Sequence, residues 1–145
     1  MEKPTIIVAG NYHFSDEELF EISDSIPSVF NVETDRAEEF QADELLPILQ
    51  FVFLSISAGY LAAIGKDLWK VTKKTISSII SEKKSECDIE FKFQEQDRKI
   101  SFRCRAVDST IFESAFDKVI DTVKNGGSMR DEYKFNPDEN EWEEI

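Results

Sequence analysis

The residues able to do chemistry are few and scattered along the chain. His13 is the sole histidine. It falls between a short β-branched run and a helix start, and catalysis there would need a nucleophile or acid partner. None is recognisable nearby, so His13 reads as an ordinary loop histidine. Gly10-Asn11 precedes a helix, the place of a phosphate-binding turn, but no G-x-G-x-x-G and no P-loop lysine accompany it. Cys87 and Cys104 have neither metal-site spacing nor the pattern of a disulfide framework. They read as core thiols on one apolar face. The acids Asp131, Glu132, Asp138, Glu139, Glu141, Glu143 and Glu144 crowd the C-terminal segment. Asp138-Glu139-Asn140-Glu141 lacks the spacing and the glycine of a calcium loop. These acids read first as a solvated face and second as a surface for a basic partner, with Asp138, Glu139, Glu141, Glu143 and Glu144 as the partner-binding candidates. Lys66, Lys70, Lys73, Lys74, Lys83 and Lys84 read as a solvated helix face, or alternatively as a juxtamembrane basic cluster. No catalytic residue, metal ligand or cofactor is expected.

Composition narrows the classes further. The chain has 145 residues, 41% hydrophobic and 12% aromatic, with twelve Phe. That is enough for a real core in a single domain, 1–145. A net charge of −13 argues against a basic nucleic-acid-binding surface and fits a partner with a basic face. The N-terminus lacks the apolar core of a signal peptide, and a cytoplasmic location is the default expectation.

These candidates must be positioned by a fold, and the fold is organised by one stretch. Leu45 to Gly65 carries no charge. At about 20 apolar residues needed for a bilayer-spanning helix, the run is long enough, and acids before it with lysines after it satisfy the positive-inside rule. Gln50, Ser55, Ser57 and Pro47 weaken that signal. The expected form is a soluble core helix within a long helical segment, 44–82, bent or broken near Gly59 or Gly65. Its small stripe, Ser55, Gly59, Ala62 and Ala63, suits close helix–helix contact and is the candidate for packing or self-association.

Around it, Thr5–Ala9 predicts a buried strand. Ser15 with Glu18 makes a capping box, Phe14 and Leu19 a hydrophobic staple, and Pro27 a stop, so a helix is expected over 16–25. Residues 28–33 read as a second short strand. Beyond Gly65, Leu61, Ile64, Leu68, Val71, Thr75 and Ile79 recur at helical spacing. Cys87–Gln94 and Ile100–Ala106 alternate strictly and predict a hairpin in which Phe91 faces Phe102, Glu90 faces Arg103 and Asp88 faces Arg105. Thr110 and Glu113 offer a capping box for an amphipathic helix, 110–124. Residues 132–135 and 141–145 predict a second hairpin about Asn136-Pro137-Asp138. The expected class is α+β, a small mixed or antiparallel sheet packed on the long central apolar helix (44–82) and the amphipathic helix (110–124).

The order of elements from Leu45 to Lys124 supplies a resemblance. An apolar, glycine-containing helix leads to Gly65-Lys66-Asp67-Leu68-Trp69, then a lysine-rich helix end, a hairpin and an amphipathic helix. This resembles the effector-associated constant-component domains of bacterial conflict systems. The resemblance implies a non-catalytic adaptor coupling a sensor to an effector. Together the readings point to a protein-binding or regulatory module, an adaptor or an immunity-type inhibitor. It would act through an acidic surface on a protein partner, with homo-oligomers in view. The alternative is a membrane-associated effector or anchor that uses 45–65.

Overall fold

In this computed structural model the chain runs β1 (Thr5–Gly10), α1 (Asp16–Ser25), β2 (Asn31–Arg36), β3 (Ile48–Leu54), a 3-10 turn (Lys66–Trp69) and α2 (Lys70–Lys83). It continues through β4 (Cys87–Glu95), β5 (Arg98–Ala106), α3 (Ser109–Lys124), β6 (Glu132–Asn136) and β7 (Glu141–Glu144). The structure describes residues 4–36, 46–54, 60, 64–95, 98–124 and 132–144. It is a mixed α/β fold, consistent with the α+β expectation. Seven strands form one mixed sheet in the order β2-β1-β3-β4-β5-β6-β7.

The first unit follows its local chemistry. Ser15 Oγ accepts from the Glu18 amide at 3.1 Å and Glu18 Oε1 accepts from the Ser15 amide at 2.9 Å, which closes the capping box. Phe14 and Leu19, the staple, are both buried. Ile26 is extended because Pro27 follows it, and α1 ends there. The carbonyl of Ser25, orphaned at that terminus, accepts from Thr72 Oγ1 at 2.7 Å. β2 begins later than the expected 28–33. Phe30 donates to the Pro27 carbonyl in a turn and buries its ring, and the Asn31 amide then reaches the Pro4 carbonyl to start pairing.

The long central helix, 44–82, is corrected. Its expected first half, Ile48–Leu54, is the strand at the heart of the sheet, antiparallel to β1 and parallel to β4. Every residue from Ile48 to Phe53 is buried. A strand covered on both faces reads as a continuous apolar run and shows no period of two. Pairing on both edges satisfies the backbone that a helix would have satisfied internally. Gly65 has φ +82, a conformation that glycine adopts without penalty, and the helical segment Lys66–Lys83 follows it. The buried side of α2 is also shifted from the expected stripe. Trp69, Thr72, Ile76, Ile79 and Ile80 face inward, whereas Leu68 and Val71 are 49% and 64% exposed.

The hairpin β4–β5 has the expected register, with Phe91 opposite Phe102, Glu90 opposite Arg103 and Asp88 opposite Arg105. The expected turn at Gln96-Asp97 lies outside the described residues. α3 is capped two residues earlier than expected. Asp108 Oδ1, not Thr110, accepts from the Ile111 amide at 3.0 Å.

Adjacent strands are about 4.8 Å apart, so aromatic side chains in register are brought to stacking distance. Phe53 stacks on Phe93 with ring centroids 4.6 Å apart, Phe51 on Phe91 at 5.6 Å and Phe102 on Tyr133 at 4.7 Å. These rings line the face covered by the helices, where Phe116 of α3 meets Phe91 at 5.7 Å.

Three helices join neighbouring parallel strands: β1–α1–β2, β3–α2–β4 and β5–α3–β6. α1 and α3 both contact α2, so the three share one layer. β3 runs opposite to β1 and steps the opposite way across the sheet, so the first two crossovers have the same hand. β5 runs in the direction of β1 but steps the other way, so its crossover has the opposite hand. Such connections share the right hand in about 98% of cases, so a sheet with crossovers of both hands departs from the usual preference, and β5–α3–β6 is the odd one of the three.

Candidate functional site

Of the acids singled out in the sequence, Asp131 lies outside the described residues and the others are brought together on the β6–β7 hairpin. Asp138, Glu139, Glu141, Glu143 and Glu144 are all exposed. Asn136 builds the turn: its Oδ1 accepts from the amides of Asp138 and Glu139 at 3.0 and 3.2 Å. Its Nδ2 donates to Glu143 Oε1 at 2.8 Å and orients that carboxylate. Lys118 of α3 donates to the Asn140 carbonyl. Trp142 pins the strand from the other side. Its Nε1 donates to the Ala115 carbonyl at 3.1 Å, and its ring packs edge-on against Phe102 and Phe135 at 5.2 and 5.1 Å. The result is an acidic tip and an acidic strand on a hairpin tied to α3 and to the core.

The β1–α1 loop, where His13 sits, is a structural corner. Gly10 permits close approach of helix to strand, because a Cβ there would lie 2.9 Å from Leu19 Cδ2 and 3.3 Å from Phe14 Cβ. Asn11 Oδ1 accepts from the amides of His13 and Ile48, and its Nδ2 donates to the Leu46 carbonyl at 2.8 Å. Arg36 clasps the carbonyls of Asn11 and Phe14 and the carboxylate of Asp16. The polar groups of the loop thus hold it to β2 and β3 rather than forming a phosphate cradle. The His13 ring stacks on Tyr12 with centroids 4.3 Å apart.

Two of the lysines, Lys73 and Lys83, are held in ion pairs, while Lys70, Lys74 and Lys84 are exposed. Lys73 Nζ reaches Asp117 Oδ1 at 2.7 Å and clamps α2 to α3. Lys83 Nζ reaches Glu18 Oε1 at 2.6 Å and the His13 carbonyl at 2.8 Å, and lies over the Phe14 ring. Burial alone would raise the Glu18 carboxyl. The hydrogen bonds from Lys83 and from the Ser15 amide outweigh it and hold Glu18 below the ordinary carboxylate value. Among the described residues no helix is long and apolar enough to cross a membrane. Ser55, Gly59, Ala62 and Ala63 lie outside the described residues.

Both thiols are buried and free. Burial pushes Cys87 up to about 11 and Cys104 up to about 12, with Asp88 adding to both. Neither is a thiolate nucleophile near neutral pH. Among the described residues no group of three or more His, Cys, Asp or Glu could hold a metal ion.

One polar arrangement escaped the sequence reading. Glu90 was expected on a solvated face, paired with Arg103. The pair exists, with Arg103 Nε 3.0 Å from Glu90 Oε2, but Glu90 is only 4% exposed. Its other oxygen accepts from Gln50 Nε2 at 2.6 Å. Gln50, itself 9% exposed, is opposite Glu90 in the β3–β4 register. The signal was the single polar residue in the run Ile48–Leu54, but it points to Glu90 only once that run is a strand. Compared with protein-family models, curated proteins and solved structures, the chain matches none.

Proposed function

We propose that this chain is a non-catalytic binding or regulatory module, an adaptor or immunity-type inhibitor, that recognises a basic protein partner through its acidic β6–β7 hairpin. The observation that carries the reading is the exposure of Asp138, Glu139, Glu141, Glu143 and Glu144 on one hairpin held to α3 by Trp142. Exposed charge of one sign speeds and orients encounter with an oppositely charged surface. A rigid hairpin lowers the entropy lost on binding. Buried thiols and a histidine in a structural loop fit a module that binds rather than reacts. A cytoplasmic setting suits two reduced cysteines.

The test is a pull-down from the native host with the full chain as bait. A specific partner should be retained at low salt and released as salt rises. It should be lost with the triple variant E141K/E143K/E144K, whose fold is checked by circular dichroism. Retention that ignores both salt and the charge reversal would sink the proposal.

A further inference from the structure

β7 ends the sheet. Its inner edge pairs with β6, and among the described residues no strand pairs with its outer edge. A sheet edge can offer backbone hydrogen bonds to an added strand, the mode known as β-augmentation. The strand is pre-formed, since Trp142 fixes it to Ala115 and to the Phe102 and Phe135 rings. Its side chains also state what an added strand must carry. Glu141 and Glu143 alternate on the face away from the helices, opposite Asn136 and Lys134, while Trp142 between them turns to the core face. A complementary strand would place cations at alternate positions, over Glu141 and Glu143, with an apolar residue between them against Trp142.

From this edge we infer that the partner docks by strand addition along β7, through an extended segment alternating basic and apolar residues. The inference rests on the binding role proposed above and specifies its mode. A second copy of this chain is the wrong occupant. The outer strands β2 and β7 are both acidic, with Glu33 and Asp35 on one and Glu141, Glu143 and Glu144 on the other. Like charges on facing strands oppose one another.

The test uses the full chain, isotopically labelled for amide exchange, with two capped peptides of equal composition. One alternates lysine with valine; the other carries its lysines in a block. The alternating peptide should bind about tenfold more tightly, and should slow exchange of alternate β7 amides. Binding should be lost in E141K/E143K, or in E141Q/E143Q should the reversal not fold, and retained in E33K/D35K on the opposite edge. Equal affinity for both peptides without protection of β7 amides overturns strand addition while leaving an electrostatic surface in place. Failure of either peptide to bind also overturns the inference, and the pull-down then judges the binding role on its own. Self-association that grows with concentration and protects β7 amides would replace the basic strand by a second copy.

Discussion

Replacing Glu90 gives the sharpest test of how the sheet is held together away from the helices. Its carboxylate joins Gln50 Nε2 at 2.6 Å and Arg103 Nε at 3.0 Å. In Glu90→Ala the Gln50 amide keeps its burial and loses its acceptor. A buried donor left unsatisfied costs about 1–3 kcal/mol. Arg103 has a side chain 66% exposed and returns to water, so its lost ion pair adds at most about 1 kcal/mol. The expected loss is about 2–3 kcal/mol. In a domain of roughly this size 1 kcal/mol moves Tm by about 2–4 °C, so Tm should fall by roughly 5–10 °C. Urea unfolding should show a lower midpoint at unchanged slope. Removing both buried partners, in the double variant Gln50→Leu with Glu90→Leu, should return stability to within about 1 kcal/mol of the parent, because no polar group is left without a partner. An E90A chain within about 0.5 kcal/mol of the parent would refute the reasoning, as would a double variant less stable than E90A.

Other expectations follow from single contacts. Gly10→Ala places a methyl group against the buried Leu19 and Phe14 and should cost about 1–3 kcal/mol by overcrowding, read from chemical denaturation. Glu18 titrates below its unfolded value, so its contribution is present above about pH 4.5 and fades as pH falls through the folded value. The gap in Tm between the parent and Glu18→Gln should therefore be widest near pH 7 and narrow as the pH falls below about 4.5; a constant gap contradicts the Lys83–Glu18 clamp. Cys87 and Cys104 should react with a thiol reagent at pH 8 only as fast as the protein opens, with less than about one part in a hundred present as thiolate. Fast labelling of either in the folded state would contradict their burial.

What the sequence reveals depends on whether one face of an element meets water. β4 and β5 do, over most of their length, and their alternation predicts the register down to Phe91 opposite Phe102. α1 carries its signals in side chains that act locally, Ser15, Glu18 and Pro27, and its bounds follow. β3 meets water on neither face. Without a period, Ile48–Leu54 is equally good as helix or strand, and the decision belongs to β1 and β4, which lie far off in sequence. The same error carried Leu68 and Val71 into an expected buried stripe, because a helix continued from Leu45 has a different phase from one restarted at Gly65. At α3 two residues could cap, and Asp108 prevails over Thr110 through its bond to the Ile111 amide. The acids of the hairpin were legible as a cluster. Their anchoring to α3 was not, because Trp142, Ala115 and Lys118 meet only in three dimensions.

The unequal hand of the crossovers bears on the order in which the molecule assembles. The two crossovers of common hand build β2-β1-β3-β4, and the tight hairpin adds β5. β6 then joins beside β5, with Ser101–Arg103 paired to Glu132–Lys134 among the described residues, and through a crossover of opposite hand to the other two. Such an element gains its contacts after the nucleus has formed. Truncating Phe135 to Ala should accordingly speed unfolding and leave the folding rate nearly unchanged, a φ-value near zero. The hairpin whose outer strand, β7, offers its edge to a partner would then also be the first part of the sheet to let go.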